Sequence, residues 1–261
     1  MRILQEVVSP DEVRTIRDAW NRKSNSSQEI YESSDGENTL VLHYSHEPAW
    51  SGALFKGELV QNEARKKIPL PGLFQSGGEG GARRTVFSGS PFSPDSTRLA
   101  LLDQLSDSCR LRCWGVKDIL SRFLRLQRPA QYFSCEFQNP MLFHSWSPGS
   151  DYCLLQGLGS WTIVNHKGEL EAKIETECPS FPAHAAFLTS GDLLLFSEET
   201  EEAAIHPVGA WPQRKPVKKI TARGPVFTLP EPSGRGLIVG PYSSLEHKSD
   251  GEDRWFLIGI D

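Results

Sequence analysis

Four acidic residues of this chain recur beside the same kind of turn: Asp35 after Ser33-Ser34, Asp95 after Ser93-Pro94, Asp151 after Gly149-Ser150 and Asp192 after Ser190-Gly191. Carboxylates gathered at one place can act as general acid and base. An acid at a turn also has a simpler use, because its oxygens accept backbone N–H groups that the reversal leaves unpaired. Recurrence at one turn position fits that second use. His43 and His46 form a His-x-x-His pair. On a strand this spacing sends the two rings to opposite faces, and only a turn at Ser45 would bring them together. With no third ligand beside them, no metal site is predicted.

The five cysteines, Cys109, Cys113, Cys135, Cys153 and Cys178, are an odd, scattered set without the CxxC spacing of a zinc ribbon. They read as reduced thiols packed as small hydrophobes, with Cys109 and Cys113 on one strand face. No Gly-x-Ser-x-Gly elbow occurs, so a hydrolase domain of that type is not expected. Asn25-Ser26-Ser27 matches a glycosylation sequon but has no secretory context around it. From these residues neither a catalytic set nor a cofactor site follows.

Large amphipathic rings near turns and strand ends, Trp50, Trp114, Trp161, Trp211 and Tyr242, are the best binding candidates, since such rings dominate interface hot spots. Trp50 and Trp211, each in a Pro-flanked loop, are the rings expected to stand exposed and anchor a protein or peptide partner, with Tyr242 beside them in the same role. Basic clusters at Arg65-Lys66-Lys67, Arg83-Arg84, Arg122/Arg125/Arg128 and Lys215/Lys218/Lys219/Arg223 fall largely on expected outer strands. Charge there discourages edge-to-edge pairing.

The formal charge of -5 gives no reason to expect a nucleic-acid backbone as main partner. The first residues, MRILQEVVSPDEV, carry acids where a signal peptide needs an unbroken apolar stretch, and no run approaches the roughly 20 apolar residues of a membrane span. A cytoplasmic or nuclear, non-secreted protein is therefore expected.

The elements that must position these residues are mostly strands. Ser9, Pro10 and Glu12 make an N-terminal capping signature, and Val13, Ile16 and Trp20 then fall on one face of an amphipathic helix over 10–22. From residue 29 onward the pattern is β. An aromatic leads into a small turn and then an apolar run at Phe92-Ser93-Pro94-Asp95-Ser96, Trp146-Ser147-Pro148-Gly149-Ser150 and, degenerately, at Phe187 to Asp192. Tyr31 before Ser33 to Gly36 is an earlier copy. The third unit reads as four strands, MLFHSWS, DYCLLQG, SWTIVNH and ELEAKIE, and the second as TVFSGSPFS, RLALLDQ, RLRCWGV and RFLRLQ, with a short helix around Val116 to Leu126 as the competing reading of the last. The 61 residues between Tyr31 and Phe92 include a glycine-rich insertion at 73–84. Second strands such as Leu99 to Leu102 and Cys153-Leu154-Leu155 are apolar on successive residues, so both of their faces need cover.

These turns and strands resemble the WD40-like and TolB-like β-propellers, whose blades carry an aromatic-Ser-Pro-Asp-Gly turn between their first and second strands. The repeats here are degenerate, without a Gly-His opening or a Trp-Asp close. The resemblance covers roughly residues 29–261. It implies an all-β, single-domain propeller over 1–261 of about five four-stranded blades, starting near residues 29, 86, 139, 181 and 224. The last blade lacks an outer strand, and residues 2–8 have the length and composition to supply it by pairing with the C-terminal strand. A propeller of this kind implies a noncatalytic scaffold for protein–protein interaction. The alternatives are a small five-bladed glycoside hydrolase, whose carboxylates would converge in a central channel, and a partial propeller completed inside a larger complex.

Overall fold

The computed structural model describes residues 3–9, 11–15, 28–44, 54–70, 90–104, 108–124, 133–138, 141–176, 183–197, 202–211, 213, 215–219, 226–230, 236–241 and 255–260. The described structure is almost wholly antiparallel β. The chain divides into two compact units, one of residues 22–171 and one of residues 1–21 with 172–261.

At the start of the chain, β1 (Ile3–Val8) leads into a helical turn, α1 (residues 11–15). The Ser9 hydroxyl accepts the Glu12 N–H at 3.3 Å, as an N-cap does. The remainder of the helix expected over 10–22 lies outside the described residues.

In the unit of residues 22–171, β2 (Gln28–Glu32), β3 (Asn38–Tyr44), β4 (Leu54–Gln61) and β5 (Lys66–Pro69) form a four-stranded sheet in that order. Its register places Tyr31, Leu40, Leu59 and Ile68 in one row across the strands, hence on one face. The second sheet holds β6 (Arg98–Gln104), β7 (Cys109–Gly115) and β8 (Phe133–Phe137). The third holds β9 (Leu142–Trp146), β10 (Tyr152–Gly157), β11 (Ser160–Asn165) and β12 (Leu170–Glu175).

The unbroken apolar run of β6 now has a cause. Leu99 and Leu101 point into a core with Leu40, Leu42, Leu59 and Trp114, whereas Ala100 and Leu102 point into a different core with Cys113, Phe143, Cys153 and Leu155. Successive residues of a strand face opposite ways, and the second sheet is packed on both sides. Each such buried leucine contributes roughly 2 kcal/mol through removal from water.

One strand expectation is corrected. RFLRLQ does not form the outer strand of the second sheet: α2 (Val116–Leu124) runs through its first residues, and β8 pairs with β7 in its place. Val116 and Ile119 are buried in the first of those cores, with Leu120 packed against it, so the apolar spacing there is helical rather than two-fold. This helix accounts for the long 54-residue interval between Phe92 and Trp146. Of the expected leading strand TVFSGSPFS, the described part shows a single bridge from Phe92 to Leu99. The glycine-rich stretch 73–84 lies outside the described residues.

In the other unit, β13 (Ala183–Phe187), β14 (Leu193–Ser197), β15 (Glu202–His206) and β16 (Lys215–Lys219) form one sheet. β17 (Val226–Pro230), β18 (Gly236–Pro241) and β19 (Trp255–Ile260) form a second, and β1 is its fourth strand. The pairing is antiparallel, from Ile3 opposite Ile260 to Val8 opposite Trp255. Leu194, Phe196, Ala203 and Ile205 share a core with Leu237, Val239 and Ile258. On the opposite face of the last sheet, Val13 of α1 is buried with Val8, Ile238, Trp255 and Leu257. Gly240 makes room for the Trp255 ring: a Cβ at 240 would lie 2.3 Å from it.

Candidate functional site: the repeated turns

Four turns carry the acids that the sequence brings forward. Each is closed by an i to i+3 backbone bond: Gly36 to Ser33, Ser96 to Ser93, Ser150 to Ser147 and Gly191 to Leu188, all between 2.8 and 2.9 Å. The residue ending each bond is left-handed, with φ of 70°, 58°, 63° and 86° respectively. Glycine enters this region without the steric cost that a Cβ brings, and two of the four turns use it. The other two use serine.

In the first three turns the leading serine holds the reversal from inside. The Ser33 hydroxyl donates to Asp35 Oδ1 at 2.6 Å and accepts the Asn38 N–H at 2.9 Å. The Ser93 hydroxyl donates to Asp95 Oδ1 and accepts the Arg98 N–H at 3.0 Å. The Ser147 hydroxyl accepts the N–H groups of Asp151 and Tyr152 at 3.1 and 3.0 Å. The carboxylates complete the turns: Asp35 accepts from the Glu37 N–H, and Asp95 from the Thr97 N–H and hydroxyl. Asp192 accepts the Val208 N–H at 2.9 Å.

The electrostatics agree with a structural use. The Ser33 hydroxyl, the Glu37 N–H and weaker donors hold the Asp35 carboxyl below the ordinary aspartate range. For Asp95, partial burial pushes the pKa up, but the Ser93 hydroxyl, both Thr97 donors and the Arg98 charge together outweigh it and leave the pKa lowered. A general acid at neutral pH requires the opposite shift.

His43 Nε2 lies 3.1 Å from Glu58 Oε2 on the neighbouring strand, and both side chains are largely buried. His46 lies outside the described residues. Among the described residues no group of three or more His, Cys, Asp and Glu is arranged to hold a metal ion. Burial raises the Cys109 thiol to about 11 and the Cys113 and Cys135 thiols to about 12. Cys153, fully enclosed, is pushed up as well. These four are thiols at neutral pH, and a thiol is a poor nucleophile compared with its thiolate.

Trp211 does not stand exposed as its Pro-flanked position suggests. The residue is 2% exposed, its ring meets Phe187 edge-on at 6.1 Å, and its backbone carbonyl oxygen lies 2.8 Å from His206 Nδ1. Trp114 and Trp161 are likewise core residues. Trp50 and Tyr242 lie outside the described residues, the first in the β3–β4 connection and the second in the β18–β19 connection.

Serines 33, 93 and 147 were legible as turn residues but not as the hydrogen-bonding centre of each turn. Serines 96 and 150 carry a second role that sequence reading misses. The Asp35 N–H donates to the Ser96 hydroxyl of the next sheet at 3.1 Å, and the Asp95 N–H donates to the Ser150 hydroxyl at 3.2 Å. The only available signal was the presence of serine where glycine is cheaper.

No family model and no curated protein matches the sequence. Solved structures do match in fold. The Dos1 propeller superposes with a TM-score of 0.55 at 7% identity, covering 91% of this chain and 56% of that one. The fold is that of a β-propeller. Other matches are the β-propeller domain of Myceliophteria thermophila Cps50 (Swd1), with TM-score 0.48, 12% identity and coverage of 89% and 82%, and dihydro-heme d1 dehydrogenase NirN, with TM-score 0.49, 16% identity and coverage of 90% and 45%. The chain spans about half the length of the first structures it matches. Among the described residues no helix is long and apolar enough to cross a membrane.

Proposed function

We propose that this protein is a noncatalytic propeller scaffold for protein–protein interaction, cytoplasmic or nuclear, with a protein or peptide held by the loops joining second and third strands of its sheets. Five sheets serve as five blades, β1 closes the last of them, and the whole of 1–261 acts as one domain. The observation that carries the reading is the use of the turn carboxylates: Asp35 and Asp95 are bound to their own turns and held ionised. Acids so engaged serve the reversal rather than a substrate. Trp50 and Tyr242 supply the anchors, since both belong to second-to-third-strand connections and aromatic anchors dominate interface energies.

The test is capture of partners by the full chain against a Trp50→Ala, Tyr242→Ala double variant of unchanged circular dichroism. A partner retained by the wild type and lost from the variant, with about tenfold weaker affinity or more, is the expected result. Turnover of a glycan panel that Asp95→Asn abolishes sinks the reading in favour of the glycosidase. A second reading, a propeller completed by blades of another polypeptide, draws on the Dos1 propeller, of which this chain covers 56%. Its mark is co-elution with a second propeller chain and loss of thermal stability when the chain is isolated.

A further inference from the structure

Ser96 and Ser150 present a paradox of local energetics. Both sit in the left-handed region, at φ 58° and 63°, where glycine is the residue without steric cost. Gly36 and Gly191 occupy the equivalent position in the first and fourth turns. Serine must therefore contribute something that glycine cannot. Its hydroxyl is the one difference in polar chemistry, and in each case that hydroxyl accepts the aspartate N–H of the preceding turn, Asp35 to Ser96 and Asp95 to Ser150. Both serines are buried, 6% and 2% exposed, although the turns they belong to are at the surface.

We propose that Ser96 and Ser150 are inter-sheet latches, which tie the first three turns into one polar relay and make residues 22–171 open as a block. The second joint is reinforced twice. Arg98 Nη1 donates to the Ser150 carbonyl oxygen at 2.6 Å, and Trp146 Nε1 donates to the Pro91 carbonyl oxygen at 3.0 Å. The relay sits above the apolar cores that join the same pairs of sheets, so polar and apolar ties are parallel. It has a sequence-defined end. The fourth turn is one residue shorter, closing from Leu188 to Asp192 where the others close over five positions, and its left-handed residue, Gly191, has no hydroxyl.

Latching reverses the sign of an ordinary substitution. At a left-handed position with no other role, Ser→Gly removes steric strain and raises the melting temperature. In a latch the same change removes the acceptor of a part-buried inter-sheet hydrogen bond, and that loss outweighs the strain relieved. Hydrogen exchange of the full chain separates the two cases. In the wild type, the Asp35 and Asp95 amides exchange together with strand amides such as Leu40, Leu101 and Leu155. In Ser96→Gly the Asp35 amide exchanges at least tenfold faster while the Gly36 amide, bonded within its own turn, keeps its rate. Ser150→Gly does the same to Asp95. Neither variant melts higher than the wild type. A raised melting temperature with Asp35 and Asp95 protection unchanged overturns the proposal. Ser96→Ala keeps the strain and loses the hydroxyl, so it melts below the wild type if the hydroxyl acts as described; equal exchange in wild type and Ser96→Ala also overturns it.

Discussion

Residues 22–171 and the unit of residues 1–21 with 172–261 use the same sheet pattern with differently equipped turns. In the first unit three turns carry an internal serine, and two of them add a left-handed serine that reaches the turn before it. In the second unit, the turn at Leu188 to Asp192 relies on Gly191, and Asp192 binds the Val208 N–H within its own sheet. Its sheets are joined by the apolar core of Leu194, Phe196, Leu237 and Ile258, and the last sheet is backed by Val13 and Trp255. One fold thus tolerates two ways of joining its sheets, because burial is non-directional and secures proximity, whereas hydrogen bonds add direction and register.

The comparison is most sharply broken in the aromatics that lead the turns. Trp146→Ala is expected to lower stability by about 4 kcal/mol, since it empties a core and deletes the bond to Pro91. Trp146→Phe keeps most of the volume and costs about 1 kcal/mol for the lost bond. Urea unfolding of the two variants measures both, and no loss in Trp146→Phe would mean that the indole N–H contributes nothing. In the second unit the test is Gly240→Ala. A Cβ would meet the Trp255 ring at 2.3 Å, and overpacking of this sort costs roughly 2–3 kcal/mol, with a change in tryptophan fluorescence as Trp255 shifts from Val13. A neutral result would mean that the last sheet adapts freely.

Smaller effects belong to the turns. Gly191→Ser is expected to destabilise by about 1 kcal/mol, the cost of a Cβ in the left-handed region, read as a lower urea midpoint. The smallest effect is in pH. Asp35 and Asp95 have folded pKa values below the ordinary aspartate value of 3.8. Their stabilisation is therefore complete above that value and fades as pH falls through it, because the unfolded chain takes up the protons first. Asp95→Asn should flatten this acid limb in a urea series between neutral pH and pH 3, and an unchanged limb would remove Asp95 from the account.

Much of the architecture was legible because each strand had to satisfy a two-residue period. MLFHSWS, DYCLLQG, SWTIVNH and ELEAKIE contain the four strands of the third sheet with no more than small shifts of boundary, since Gly- and Pro-containing turns bracket every one. RFLRLQ misled because a short run with apolar residues at 120, 123, 124 and 126 satisfies helix and strand alike. The packing of Val116 and Ile119 decides for the helix. Trp211 misled for another reason: a proline beside an aromatic marks a loop, but the depth of that loop is set by Phe187, which is distant in sequence.

By its own spacing the sequence determined a repeating aromatic-turn-strand unit, apolar second strands that demand cover on both faces, and a first strand suited to complete the last sheet. These are local and periodic properties, and local sterics with hydrophobic pattern suffice to specify them. Only the tertiary structure decided that Asp35 and Asp95 bind their own turns, that Trp211 is a core residue, and that Ser96 and Ser150 reach across sheets. Those facts depend on which residues, 55 or 61 positions apart, come within hydrogen-bond distance. No local pattern contains that distance.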